Sequence, residues 1–178
     1  STMTSADRLG CLKKDKIVWL EFLNSTNHAK WLSINKNFQY TIEGDAGGST
    51  LTGTNGLTRM FTINAASSGQ NVTFKNITFS GQSSSIAAGG AVLFSNQAGV
   101  TINFENCRFN GNTITSTTAA AGGALAISVS TLNITDCLFK ENQALQNGGA
   151  IAINNTSNVT ITGSTFYKNS TTTTTQSL

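Results

Sequence analysis

The sequence has no proline, a single histidine and few charges, and each shortage excludes a class of protein. Charged residues make up 11% of the 178 residues, under half of the usual quarter. Ten phenylalanines and many β-branched residues still supply a core, so disorder driven by excess charge is excluded. Three cysteines are too few for a disulfide framework, and His28 stands in a polar stretch without an evident catalytic neighbour.

Long apolar runs are also missing. No stretch approaches the roughly 18 residues of a membrane-spanning helix, so we expect no transmembrane segment. Six of the eleven basic residues precede residue 37, but acidic residues lie among them, and we expect no nucleic-acid partner. Serine, threonine and asparagine supply 66 of the 178 residues and form helices poorly. This composition favours a β protein that is extracellular or displayed on the cell surface.

What the sequence has in abundance is repetition. Four stretches align without gaps at spacings of 30, 30 and 27 residues. Between them recurs a second block, in which Gly-Gly-Ala is followed by alternating apolar residues. Each repeat therefore holds at least two short strands separated by turns. The aligned stretches are residues 72–79, 102–109, 132–139 and 159–166.

The aligned repeats place apolar residues at the same positions, and alternation puts these on one face of each strand. The phase slips by one residue at Asn76, Asn106 and Asp136, residue types that tolerate a left-handed backbone, and we place this bend column on the inner side. A chain that bends in this way curls around its core, and coils stacked about 4.8 Å apart bury the apolar face. We therefore expect Phe109 to lie directly over Phe139.

These patterns predict an all-β fold, a right-handed parallel β-helix of about six coils with a short N-terminal capping segment. We expect the cap at residues 1–15, the β-helix at 16–170 and a threonine-rich tail, or a link to further coils, at 171–178. Because no cap follows the last repeat, we expect a piece of a longer protein or a subunit that stacks on a neighbour. The upstream strands are predicted at 17–22, 31–34, 38–42 and 60–63.

Two pairs of outward residues provide a check on this register. Lys75 falls beside Glu105, and Glu141 falls beside Lys168, so neighbouring coils offer opposite charges. Each exposed pair contributes only about 0–1 kcal/mol, so the pairs support the register without explaining stability.

Two cysteines, Cys107 and Cys137, occupy one column on adjacent coils. Side chains stacked in parallel seldom reach the dihedral angle that a disulfide requires, so we favour buried free thiols over a bridge. Without a further cysteine or a histidine nearby, we expect neither a zinc site nor any cofactor.

Two short motifs alternate along the repeats. The first is Gly89-Gly90-Ala91, repeated as Gly122-Gly123-Ala124 and Gly148-Gly149-Ala150; the second is Phe-x-x-Asn, with Phe109 and Asn112, Phe139 and Asn142, and Phe166 and Asn169. Their alternation resembles the repeat of the chlamydial polymorphic outer membrane proteins, surface adhesins of the autotransporter class. The resemblance covers roughly residues 70–170, with Gln82 departing from the second motif. It implies a β-helical passenger displayed outside the cell that binds host surface receptors.

The glycine-rich blocks have a second interpretation, as cradles for an anion. They lack the lysine of a phosphate-binding loop and precede strands, so we favour tight turns that let neighbouring backbones approach closely. In the same way, we favour a scaffolding role for the Gly, Phe and Asn motifs over recognition by a receptor.

The positions of the carboxylates indicate whether enzymatic activity is expected. β-Helical lyases and glycosidases need clustered acids, either to bind Ca²⁺ or to flank a sugar bond. Among the eight acids no two share an outward column on adjacent coils, and Glu43 and Asp45 straddle a glycine turn. We therefore expect no enzymatic activity.

Three functions stay open. The first is an extracellular adhesin or interaction module that presents polar faces to a protein or glycan receptor. The second is a filament subunit, in which copies of the chain assemble by end-to-end stacking. The least favoured is an ice-binding protein, because Lys75, Glu105 and Arg108 interrupt the outward threonine columns.

Overall fold

The computed structural model describes residues 39–53, 55–56, 59–63, 69–85, 90–116, 121–156 and 158–172. Within them the regular structure is entirely β, with seventeen strands in three parallel sheets. Several predicted features lie outside the described residues. They are the cap with the third cysteine, Cys11, the strands predicted at 17–22 and 31–34, His28 and the tail beyond Thr172. In chain order the strands are β1 Gln39–Glu43, β2 Ser49–Thr52, β3 Asn55–Gly56, β4 Phe61–Ile63, β5 Gln70–Lys75, β6 Ile77–Ser80, β7 Ser83–Ser84, β8 Leu93–Glu105, β9 Arg108–Asn110, β10 Thr113–Ile114, β11 Leu125–Thr135, β12 Leu138–Lys140, β13 Gln143–Ala144, β14 Ile151–Ile153, β15 Asn158–Thr162, β16 Thr165–Tyr167 and β17 Ser170–Thr171.

The chain winds through the three sheets in turn and forms a parallel β-solenoid. The first sheet runs β1–β5–β8–β11; β4 pairs with the start of β8, and both β14 and β15 pair with β11. The second sheet has the order β2–β6–β9–β12–β16 and the third β3–β7–β10–β13–β17. Each further turn therefore adds one strand to the second sheet and one to the third, and extends the first sheet.

The register confirms the stacking that the repeats predict. Phe109 pairs with Phe139, and Phe139 pairs with Phe166 one turn later. On the first sheet one column of paired residues runs through successive turns at spacings of 32, 30, 30 and 27 residues. Its members are Gln39, Asn71, Thr101, Thr131 and Asn158.

The described residues hold four complete turns and the first three strands of a fifth, fewer than the six coils expected. Part of the difference comes from strands counted ahead of residue 39, outside the described residues. The strand predicted at 60–63 forms β4, which ends the first turn and pairs with β8, so it does not open a coil of its own.

Columns of phenylalanine form the core, and each ring packs on its counterpart one turn away. Phe109 and Phe139 are stacked with ring centroids 4.5 Å apart, and Phe74 and Phe104 with centroids 5.2 Å apart. The two columns meet edge to face, as between Phe104 and Phe109 at 5.3 Å. Such aromatic pairs add about 0.5–1.5 kcal/mol to the free energy of burial.

The corner between the first and second sheets is the predicted bend. Asn76, Asn106 and Asp136 have φ of 55°, 49° and 53°, in the left-handed region that asparagine and aspartate tolerate. Their side chains lie on the solvent side of the corner, so the predicted inner position is wrong. The reason is steric, because the buried rings and the residue after each bend, such as Ile77, already fill the inside of the corner.

Candidate functional site

The asparagines of the Phe-x-x-Asn motif form a ladder inside the solenoid. Asn142 Nδ2 donates to the carbonyl oxygen of Phe109 at 2.8 Å and to Asn169 Oδ1 at 2.9 Å. Its Oδ1 accepts from the backbone N–H and from Nδ2 of Asn112, both at 3.0 Å. Each amide thereby satisfies groups on the turn before and the turn after. These asparagines hold turns together and do not face an external partner.

The ladder changes at Gln82, where the motif departs from asparagine. The backbone N–H of Gln82 donates to Asn112 Oδ1 at 3.1 Å, as an asparagine in this position would. Its Nε2, however, donates to the carbonyl oxygen of the adjacent Ser83 at 3.1 Å. The longer side chain therefore turns along its own strand.

The Gly-Gly-Ala blocks are places where neighbouring turns approach closely. Gly122 has φ of 76°, and a Cβ on Gly123 would overlap the Gly149 carbonyl oxygen and lie 2.6 Å from the Gln143 nitrogen. The backbone N–H groups of Gly122 and Gly123 donate to carbonyls of the next turn at 2.9 and 3.1 Å. Because these amides are already bonded, the anion cradle is excluded for this block.

The other members of the motif take equivalent places. A Cβ would meet the neighbouring backbone at Gly90, Gly148 and Gly149. The alanines Ala91, Ala124 and Ala150 are buried behind the glycines. Gly89 lies outside the described residues.

The two stacked cysteines are buried free thiols. The backbone N–H of Cys107 lies 3.4 Å from Cys137 Sγ, and the Cys107 thiol donates to the Phe74 carbonyl oxygen at 3.4 Å. A hydrogen bond between the two side chains, together with burial, raises the pKa of the Cys107 thiol. A protonated, buried thiol is a packing group and a poor nucleophile.

The outward charges follow the predicted columns, with one difference in contact. Lys75 Nζ lies 3.5 Å from Glu105 Oε2, which confirms that pair. Glu141 Oε1 instead lies 3.8 Å from the Nζ of Lys140, its neighbour in sequence. The ammonium group of Lys168 lies 5.1 Å from the centroid of the Tyr167 ring, a cation–π contact that competes with a pairing across turns.

Apart from the column that holds Glu43, Lys75 and Glu105, the outer face of the first sheet carries short, uncharged side chains in register. Asn133 Nδ2 donates to Asn103 Oδ1 at 2.8 Å, and Asn103 Nδ2 donates to Asn71 Oδ1 at 2.6 Å, so these amides are held in place. One column of this face carries no charge, and the charges of Lys75 and Glu105 lie in a column beside it. The uncharged column is Thr41, Thr73, Asn103, Asn133 and Thr160.

One loop breaks the repeat and builds the candidate site. Later turns pass from the first sheet to the second through one or two residues, but the first turn uses the five residues 44–48. The register resumes immediately, with Ser49 opposite Ile77. A turn closes the loop, since the Gly48 N–H donates to the Asp45 carbonyl oxygen at 2.8 Å. Insertions on solenoids commonly lie on the binding face.

The loop forms one wall of a groove of about 140 Å³ over the outer side of the second sheet. Asn106 Nδ2 donates to Asn76 Oδ1 at 2.9 Å, so the exposed bend residues form a second amide ladder within the groove. Hydroxyl groups and one guanidinium complete the lining, which contains no carboxylate. The groove is lined by Ala46, Gly47, Gly48, Thr50, Asn76, Thr78, Asn106 and Arg108.

The groove was not among the sites predicted from the sequence, where residues 43–45 are interpreted only as a turn. A signal was present, because the first repeat has three or four more residues between its first two strands than the later repeats. Aligning the divergent first turn, in which Leu51 replaces phenylalanine, would have been needed to detect it.

Two other kinds of site are absent from the described residues. No group of three or more histidine, cysteine, aspartate or glutamate side chains there is arranged to hold a metal ion. No helix in the same part of the chain has the length and apolar character to cross a membrane.

Comparisons with known proteins bear on the fold. A family model described as "Right handed beta helix region" matches residues 21–177. No curated protein and no solved structure matches the chain. The family match extends over most of the sequence and agrees with the parallel solenoid and its ladders.

Proposed function

The chain belongs to the right-handed β-helix family, and we propose that it is an extracellular, surface-displayed interaction module that presents polar faces to a protein or glycan partner. The observation on which this proposal rests is the groove beside loop 44–48, the place where the first turn departs from the repeat on its outer side. The finer resemblance to the chlamydial surface proteins, based on Gly-Gly-Ala and Phe-x-x-Asn, supports the display role.

The two repeat motifs act as scaffold, and this supports placing the binding site elsewhere on the outer surface. The amides of Asn112 and Asn142 bond to the backbone and to each other, and the N–H groups of Gly122 and Gly123 bond to the next turn. Binding energy for a partner then has to come from outward residues, which differ from turn to turn.

The first test is binding. The purified chain is applied to immobilised glycans and to whole cells, beside a variant in which one asparagine replaces residues 44–48. We expect the variant to fold, because the second turn bridges this corner with the single residue Asn76, and to lose most of its binding. The outward Thr165→Val variant on the last turn is the control. Equal binding by the wild type and the loop variant would contradict the role of the groove.

Display outside the cell is tested separately. Intact producing cells are treated with a protease that cannot enter them, and the chain is followed with an antibody. We expect it to be digested while a cytoplasmic marker survives. Protection of the chain until the cells are broken would contradict the proposed location.

The absence of enzymatic activity also remains a proposal. Incubation of the chain with neutral and acidic polysaccharides, followed by chromatography of the products, is expected to show no chain shortening. Release of oligosaccharides that is lost with the loop variant would overturn it.

A second candidate function is a filament built by end-to-end stacking of copies. The observation that favours it is the fifth turn, where Val159, Ile161 and Phe166 continue the core columns but are exposed. Electron microscopy of the purified chain is expected to show rods if copies stack there, and Phe166→Glu should abolish them. Discrete particles at all protein concentrations would contradict this function.

A further inference from the structure

We propose that the groove beside loop 44–48 binds the anionic group, sulfate or carboxylate, of an acidic glycan through the guanidinium of Arg108. This inference rests on the proposed function and names the ligand class of the same site. It follows from the donors in the groove, from its size and from the charges around it.

Among the described residues that line the groove, Arg108 is the one with a charged side chain. Its side chain is exposed on the outer side of β9, and no ion pair engages it among the described residues. Lys75 and Glu105, at the ends of β5 and β8 before the corner, are engaged with each other at 3.5 Å. A guanidinium offers five N–H donors in a planar fork that matches carboxylate and sulfate oxygens.

The remaining lining supplies neutral hydrogen-bonding groups. In the amide ladder Asn106 donates to Asn76, and Thr50 and Thr78 contribute hydroxyl groups on the strands before β9. Hydroxyls and amides are suited to the hydroxyl groups of a sugar ring. One cation among neutral polar groups fits a singly charged unit better than a polyphosphate, whose several charges require several cations.

The size of the groove sets the extent of the ligand. A volume of about 140 Å³ is well under the roughly 300–1,000 Å³ of pockets that enclose a drug-sized ligand. The groove therefore accommodates one charged group and part of its sugar ring. The rest of a glycan chain would extend over the outer surface, where the adjacent face of the first sheet carries the uncharged Thr73 and Asn103.

Binding of defined tetrasaccharides, measured by calorimetry on the full chain, tests this inference. The probes are a heparin fragment with sulfate and carboxylate groups, a hyaluronan fragment with carboxylates alone, and uncharged maltotetraose. We expect acidic tetrasaccharides to bind, with the heparin and hyaluronan arms showing which anionic group is preferred. Arg108→Gln should weaken binding at least about tenfold, the loss of a charge-assisted hydrogen bond.

The matched control is Lys140→Gln, which removes one positive charge from the same sheet one turn away, outside the groove. We expect at most about a twofold loss for it, and circular dichroism should show that both variants keep the β fold. Equal losses for the two variants, or preference for maltotetraose, would overturn the inference. Binding of neutral glycans or proteins that ignores Arg108 would overturn it while leaving the display role standing; failure to bind any glycan, protein or cell surface would contradict both.

Discussion

The fourth and fifth turns have the same sequence pattern but differ in their environment. Ile134 and Phe139 on the fourth turn are 0% exposed, whereas their partners Ile161 and Phe166 on the fifth are 44% and 47% exposed. The strands pair in register, and the Phe139 and Phe166 rings are stacked 4.8 Å apart. Burial therefore depends on a neighbour on each side, and the repeat pattern of one turn cannot supply it.

The same contrast affects the polar groups. Within the fourth turn Asn142 is buried, and its amide is bonded on both sides. Asn169, one turn later, is half-buried and bonds back to Asn142 and Phe139. Equivalent substitutions in the two turns should thus have unequal costs, in accord with stability that depends on nearest-neighbour interfaces.

The largest difference is expected for the phenylalanine column. Phe139→Ala removes a ring stacked on both sides and should lower the free energy of unfolding by about 3–5 kcal/mol. Phe166→Ala removes a half-exposed ring with one stacked neighbour and should cost roughly half as much. Urea denaturation of the two variants measures both values. Equal costs would show that the last turn is covered in solution.

The asparagine ladder should give the next largest difference. Asn142→Ala leaves the Phe109 carbonyl and the Asn112 N–H without their partners, at about 1–3 kcal/mol for each buried group. Asn169→Ala breaks similar bonds, but water can replace them at the half-exposed site, so about 1 kcal/mol is expected. The two denaturation midpoints provide the comparison. A smaller loss for Asn142→Ala would contradict the ladder as a source of stability.

Replacing either of two serines by alanine should change the stability of the chain in opposite directions. Ser95 is buried among isoleucines, and its hydroxyl has no hydrogen-bond partner among the residues that the structure describes. Ser95→Ala should therefore stabilise the chain by about 1 kcal/mol. Ser164 accepts from the Cys137 N–H at 3.1 Å, and Ser164→Ala should destabilise by about 0.5–1 kcal/mol. Thermal unfolding of both variants is the measurement, and a loss of stability in Ser95→Ala would be contrary to this expectation.

The smallest effect is expected for the exposed ion pair. Lys75→Gln removes the contact with Glu105, both side chains being about half exposed, and should change stability by no more than about 1 kcal/mol. The difference from the wild type should shrink further in concentrated salt. A larger loss that persists in salt would indicate that Lys75 stabilises the corner by packing.

The fold could be predicted from the sequence because equivalent residues of successive repeats pair with each other in the structure. The positions of Phe109, Phe139 and the left-handed Asn106 follow from period and residue type alone. The direction of the Asn106 side chain did not follow, because a slip in alternation locates a bend without giving the side that has room.

The candidate site was harder to predict because it is built from residues that do not follow the repeat. Residues 44–48 repeat nowhere, and the partners of Arg108 in the groove come from other turns. Contacts of Glu141 also escaped prediction, since its column was correct while a flexible neighbour, Lys140, was closer than Lys168. Periodicity determines which backbones are adjacent, and departures from it have to be located in three dimensions.

The corner between the first two sheets can change in length without changing the register of the strands that follow it. Ser49 resumes its place opposite Ile77 whether one residue or five precede it, so the strands on either side tolerate the change in length. Any of the other corners, such as that at Asn106 or Asp136, offers the same attachment point on a different level of the rod. In a solenoid of this kind, the loop at one corner can be replaced while the stacked core stays the same. Each corner is therefore a place where the outer surface can change independently of the fold.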